Sequence, residues 1–189
     1  MLKINTLIAS CLLVGLAGVT SAQEAQPTVP GLSTGETVPP EAPAPQVETE
    51  VIGDWKVSCV VQDTAKSCRM NQVLNDNTGQ PVVDVTLFPI TNAGDITFGG
   101  SIMAPLETLL TQQMTISVDG GPARRYPFAF CTTSGCISRI GLAEADINSF
   151  RNGANAVVTI IPALAPDQKV ELTMSLAGFT KSHETVTAQ

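Results

Sequence analysis

Few residues in this 189-residue chain have the chemistry for catalysis: one histidine, five cysteines, 10 bases and 17 acids. Gly31-Leu32-Ser33-Thr34-Gly35 fits G-x-S-x-G, the pattern that places a nucleophilic serine on a strained strand-to-helix turn beside His and Asp partners. Prolines at 27, 30, 39 and 40 flank it, so neither strand nor helix is supplied. The only histidine, His183, lies near the other end in Lys181-Ser182-His183-Glu184 and reads as an exposed tail residue. The G-x-S-x-G match is therefore taken as chance. Asp84, Glu107, Glu144 and Asp146 are the carboxylates worth testing as a pair, but Glu144 and Asp146 sit on different faces of one expected helix. No catalytic residue, metal site or cofactor is assigned.

The cysteines point to structure instead. Beyond an N-terminal export signal (residues 1–22, described below) four remain: Cys59, Cys68, Cys131 and Cys136. An even number in an exported chain implies disulfides. Locality favours Cys59–Cys68 and Cys131–Cys136, each flanking a short polar stretch of the length that joins two antiparallel strands. Each bridge would contribute roughly 2–3 kcal/mol through loop closure. The gap between Cys59 and Cys68 is too long for a zinc knuckle, and no C-x-x-C is present for redox work.

Arg124-Arg125-Tyr126 is the densest basic spot, with Arg139 expected across the neighbouring hairpin. Forked guanidinium groups beside an aromatic ring suit carboxylate, phosphate or sugar-acid recognition and are common at binding hot spots. The plainer account is a solvated strand edge on which arginine blocks sheet-to-sheet aggregation. Arg124, Arg125, Tyr126 and Arg139 are the candidate partner-binding residues. Trp55, the single tryptophan, reads as a core anchor. Met70, Met103, Met114 and Met174 fall on separate strands as core filling or scattered surface, not as a copper site.

The elements that must position these residues begin with an export signal. Lys3 precedes an apolar run from Leu7 to Val19, and Thr20-Ser21-Ala22 offers small residues for cleavage before Gln23. The run is too short to cross a membrane, which needs ~20 residues. Ile8-Ala9-Ser10-Cys11 resembles a lipoprotein box, but Leu12-Leu13-Val14 stays apolar where a lipoprotein turns polar. Residues 23–50 hold six of the 13 prolines, five glutamates and no base, and read as a disordered Pro/Glu-rich tether. The net charge of −7 lies mostly there; residues 51–189 hold 12 acids and nine bases. Such a chain is no bulk nucleic-acid binder.

Residues 51–189 alternate with period two in Trp55–Val61, around Cys68 to Leu74, and in Val82–Phe88, Ile96–Met103, Met114–Val118, Arg125–Cys131, Cys136–Leu142, Ala156–Ile161 and Val170–Leu176. Turn residues separate most of these runs. About nine strands predict an all-β sandwich or barrel. One helix is expected over Ala143–Asn152, with Glu144 and Asp146 in its first turn and Gly153 ending it. A short turn is expected at Pro105-Leu106-Glu107.

Gly53-Asp54-Trp55-Lys56-Val57-Ser58-Cys59, Cys68-Arg69-Met70-Asn71-Gln72, Phe130-Cys131 with Gly135-Cys136, and Leu176-Ala177-Gly178-Phe179 occur in an order that resembles the invasion-associated locus B family. The resemblance spans about residues 51–183. It implies an exported protein of Gram-negative bacteria with an immunoglobulin-like β-sandwich, members of which are linked to host-cell invasion, and it brings no catalytic residues. The chain is therefore expected to be a non-enzymatic periplasmic, outer-membrane-associated or secreted protein. It would contact an envelope or host protein, with no nucleic acid and no transmembrane helix in the mature chain. The alternative is a periplasmic small-ligand-binding domain.

Overall fold

The computed structural model describes residues 35–38, 44–62 and 65–188. The expected signal segment, Cys11 and the first four residues of the G-x-S-x-G match lie outside them. The chain divides into units Met1–Ala42 and Pro43–Gln189. Residues 35–38 of the first are exposed and without regular structure.

The second unit contains eleven described strands. They are β1 (Gln46–Ile52), β2 (Trp55–Gln62), β3 (Ala65–Asn75), β4 (Pro81–Ala93), β5 (Ile96–Ala104), β6 (Met114–Val118), β7 (Arg124–Tyr126), β8 (Phe128–Cys131), β9 (Cys136–Ala143), β10 (Asn155–Ile160) and β11 (Val170–Ser175). Two α-helices, α1 (Glu144–Asn152) and α2 (Phe179–Thr187), and a single 3-10 turn at Leu110–Gln112 complete its described elements. One sheet has seven strands in the order β1-β2-β3-β4-β5-β9-β8, the other four in the order β11-β10-β6-β7. Every named pairing is antiparallel, so hairpins connect most neighbours and half-buried alternation follows.

One continuous core lies between the sheets. The large sheet supplies Trp55, Val57, Met70, Leu74, Val85, Leu87 and Ile102, and the small sheet Met114, Ile116, Val158, Leu172 and Met174. Ile147 and Phe150 of α1 and Phe179 and Val186 of α2 close it. This is the expected β-sandwich, with Trp55 fully buried as the anchor.

Three local expectations are corrected. The strand β1 begins five residues inside the stretch read as tether. Its Glu/Val alternation pairs along β2, and Glu48 binds Lys66 of β3 at 2.8 Å. The run Arg125–Cys131 is two strands rather than one. Pro127 has no N–H to give a ladder, and there the chain leaves the small sheet for the large one. Finally, α2 is a second helix that the apolar pattern did not reveal, because Ser182 and His183 occupy two of its buried positions.

Candidate functional site

Three of the four motif segments meet each other, those around Gly53, Gln72 and Gly178. Gly53, between β1 and β2, has φ 61, and Gly178, before α2, has φ 85. Both lie in the left-handed region that glycine enters without strain. A side chain on Gly53 would collide with the Ala177 carbonyl, and one on Gly178 with the Ile52 carbonyl, so each glycine makes room for the other chain segment. The Asp54 N–H donates to Ala177 O at 3.1 Å. Beside this contact Trp55 packs edge-on against Phe179, with ring centroids 5.7 Å apart.

Gln72 completes the clasp. Its carboxamide oxygen accepts the Ser175 N–H at 2.8 Å, and its Nε2 donates to Ser175 O at 3.0 Å and to Asp54 O at 3.2 Å. The side chain thus acts as a strand partner for the end of β11. Trp55 Nε1 donates to the same Ser175 carbonyl at 3.1 Å. The clasp is satisfied internally: its polar groups answer one another and its rings are buried.

His183 is not an exposed tail residue, which corrects the sequence expectation. It is buried on α2, its ring 4.6 Å from that of Phe98 and 6.0 Å from that of Phe179. Arg151 Nη2 of α1 lies 3.3 Å from His183 Nδ1. An arginine can only donate, so Nδ1 accepts and the ring is neutral with its proton on Nε2. Burial, reinforced by the Arg151 charge, holds the imidazole below its ordinary value, against opposing pulls from Glu144 and Glu184. Arg151 also pairs with Glu144 at 3.1 Å. The one histidine therefore joins two helices rather than serving as an exposed base.

The four candidate partner-binding residues do not converge. Arg124 and Tyr126 alternate onto the inner side of β7, opposite Ile116 and Met114. Arg124 binds the buried Asp146 at 2.8 Å. Asp146 also accepts the Ala143 N–H at 3.1 Å, which caps α1. Burial, with Asp146 adding and Arg124 opposing, holds the Tyr126 phenol above its ordinary value. Arg125 faces outward on the small sheet, paired across from Thr115. Arg139 faces outward on the large sheet, its guanidinium 5.3 Å from the centre of the Phe130 ring.

Phe130 is the functional candidate that sequence reasoning missed. It is 45% exposed, although Phe128 in the same short strand packs against the core. A register shift between Phe128 and Phe130 turns the second ring outward, opposite Ile137. Simple alternation would have put both rings on one face. Among the carboxylates, Asp84 binds Asn71 and Thr86 at 2.9 and 3.1 Å, while Glu144 and Asp146 hold different arginines. All four cysteines are joined as expected, Cys59 to Cys68 and Cys131 to Cys136. No helix of the described residues is long and apolar enough to cross a membrane.

The family model for the invasion associated locus B (IalB) protein matches residues 55–187. The crystal structure of invasion associated protein b from Bartonella henselae has the same fold, with a TM-score of 0.64 at 24% identity. That match covers 75% of this chain and 95% of the other. No curated protein matches the chain.

Proposed function

The chain belongs to the invasion associated locus B family, and from that premise we propose that it is an exported, non-enzymatic protein of the cell envelope or host interface that works by protein contact. Residues 1–22 direct export, and the mature protein is periplasmic, outer-membrane-associated or secreted. The local disulfides suit an oxidising compartment.

The contact face is the β8–β9 edge of the large sheet. The observation that carries it is the outward Phe130 ring under the Arg139 guanidinium, on a hairpin stapled by Cys131–Cys136. Aromatic and arginine side chains supply most of the energy at protein interfaces, and a stapled hairpin loses little freedom when it binds. Among the described strands β8 ends the sheet, and its outer edge is the one a partner strand would pair with. The motif segments around Gly53, Gln72 and Gly178 are engaged in the clasp, and His183 is packed between helices, which leaves them little part in chemistry at the surface.

The test is photocrosslinking in cells from a benzoylphenylalanine at position 130, with a control at exposed Lys181. A discrete adduct from position 130 that disappears with Arg139→Ala is the expected result. Absence of an adduct, or equal adducts from both positions whatever residue stands at 139, would overturn the reading.

A further inference from the structure

The outer face of the small sheet carries a row of polar side chains that no other described residue binds. The register sets Arg125 of β7 beside Thr115 of β6, Thr115 beside Thr159 of β10, and Thr159 beside Glu171 of β11. Paired residues share a face, so the row crosses all four strands and spans roughly 14 Å at ordinary strand spacing. With Gln113 and Lys169 these residues line a groove of about 350 Å³, a volume suited to a small ligand.

Two observations distinguish this groove from an ordinary solvated strand face. Thr115, Thr159 and Gln113 are only partly exposed, yet none of the six side chains has a hydrogen bond or ion pair among the described residues. On the outer face of the large sheet, by contrast, Asn71, Asp84 and Thr86 bind one another. The second observation is the backbone of Gln113, with φ 58 and ψ 166. A residue with a side chain pays ~1–3 kcal/mol to sit there. Asp119, the other described non-glycine residue with positive φ, offsets that cost when its carboxylate accepts the Ala154 and Asn155 N–H groups, each at 2.9 Å. Gln113 has only its own N–H to Leu110 O at 3.1 Å. Uncompensated strain of this kind gathers where a side chain must be aimed at a ligand.

We propose that this groove binds an extended anionic saccharide, a short run of sugar acids lying across the four strands. Arg125 at one edge and Lys169 at the other, with no ion pair among the described residues, receive two acidic groups, and the planar guanidinium matches a carboxylate with two parallel bonds. The threonine hydroxyls and the Gln113 carboxamide between them both donate and accept, as sugar hydroxyls require. Glu171 accepts from a ligand hydroxyl at the Lys169 end. Only Ala123, Val157 and Ile161 of the groove's lining residues are apolar and the rest are polar or charged, so a hydrocarbon chain would gain little there. An acidic peptide would answer the cations but leave the hydroxyl row unmatched.

The test is calorimetric titration of the full chain at low salt with trigalacturonate, maltotriose and triglutamate. Saturable binding of trigalacturonate is expected, with the neutral sugar and the peptide at least about tenfold weaker. Arg125→Ala and Lys169→Ala should each weaken it by about tenfold, the size of one charge-assisted bond. Thr115→Val should weaken it less, and Lys181→Ala, on α2, should not change it. Thermal midpoints establish that every variant is folded. The proposal is overturned by no saturable heat with trigalacturonate, by equal affinity for triglutamate, or by binding that survives the double replacement of Arg125 and Lys169. It stands apart from the β8–β9 edge, so either site can fail without the other.

Discussion

The clasp and the Arg125 row are opposites in how their polar groups are met. In the clasp, Gln72, Trp55, Asp54 and Ser175 answer one another at 2.8–3.2 Å around two glycines that allow close approach. Along the row, no side chain from Arg125 to Glu171 has a partner among the described residues. Interior polar groups must be satisfied within the chain because an unmet one costs ~1–3 kcal/mol, whereas surface groups can wait for a ligand. The motif segments around Gly53, Gln72 and Gly178 thus hold distant parts of the chain together. The proposed groove lies on a strand face that carries no motif residue, whereas the proposed contact edge includes Phe130 of the remaining motif segment.

Replacements on the two sides should separate sharply in stability. Trp55→Ala removes the ring against Phe179 and the bond to Ser175 and should cost about 3–5 kcal/mol in urea unfolding. A loss below about 1 kcal/mol would show that the clasp is not a centre of stability. Next in size is Gly178→Ala, expected to cost about 2 kcal/mol or more, since both the left-handed backbone and the Ile52 carbonyl oppose a methyl group. Gly79→Ala is its internal control: φ is 84 but the space is open, so only the backbone cost of about 1 kcal/mol should remain. Equal losses at the two glycines would remove the steric part of the account.

A smaller effect is expected from pH. The His183 proton affinity is lowered in the folded state, so the unfolded chain takes up the proton first on acidification. The histidine's contribution is therefore fully present above pH 6.5, its ordinary value, and is lost as pH falls through the lower folded value. Thermal midpoints should decline over that window, and His183→Leu should flatten the His183 part of the slope. An unchanged slope in the variant would assign the decline to carboxylates. At the small end, Arg125→Ala should leave stability within about 0.5 kcal/mol. A larger loss would mean that the row has a structural role after all.

Much of the fold was legible because half-buried strands alternate. The run Trp55–Val61 became Trp55–Gln62, Ile96–Met103 became Ile96–Ala104, and the helix expected over Ala143–Asn152 is Glu144–Asn152. The disulfide pairs followed from locality. What escaped had a physical reason in each case. In α2 the inward face is shared by Phe179, Ser182, His183 and Val186, so polar residues carry part of the helical period. In β1 the glutamates beside a proline-rich stretch looked like tether, yet an edge strand needs only its ladder and no burial.

The candidate site was legible only in part. Arg124, Arg125 and Tyr126 are consecutive, and strand alternation sends Arg125 to one side of the small sheet and its neighbours to the other. Only then does Arg124 reach Asp146. The outward turn of Phe130 depends on a register shift that its own sequence does not signal.

By itself, then, the sequence determined the class of fold, the cysteine pairs and the absence of a histidine-rich centre, since these follow from residue type, short-range period and loop length. The tertiary structure alone decided that Gly53 meets Gly178, that His183 is buried against Arg151, and that Arg125, Thr115, Thr159 and Glu171 form one row. Those contacts join residues far apart in the chain, and only sheet order and register fix which of them become neighbours.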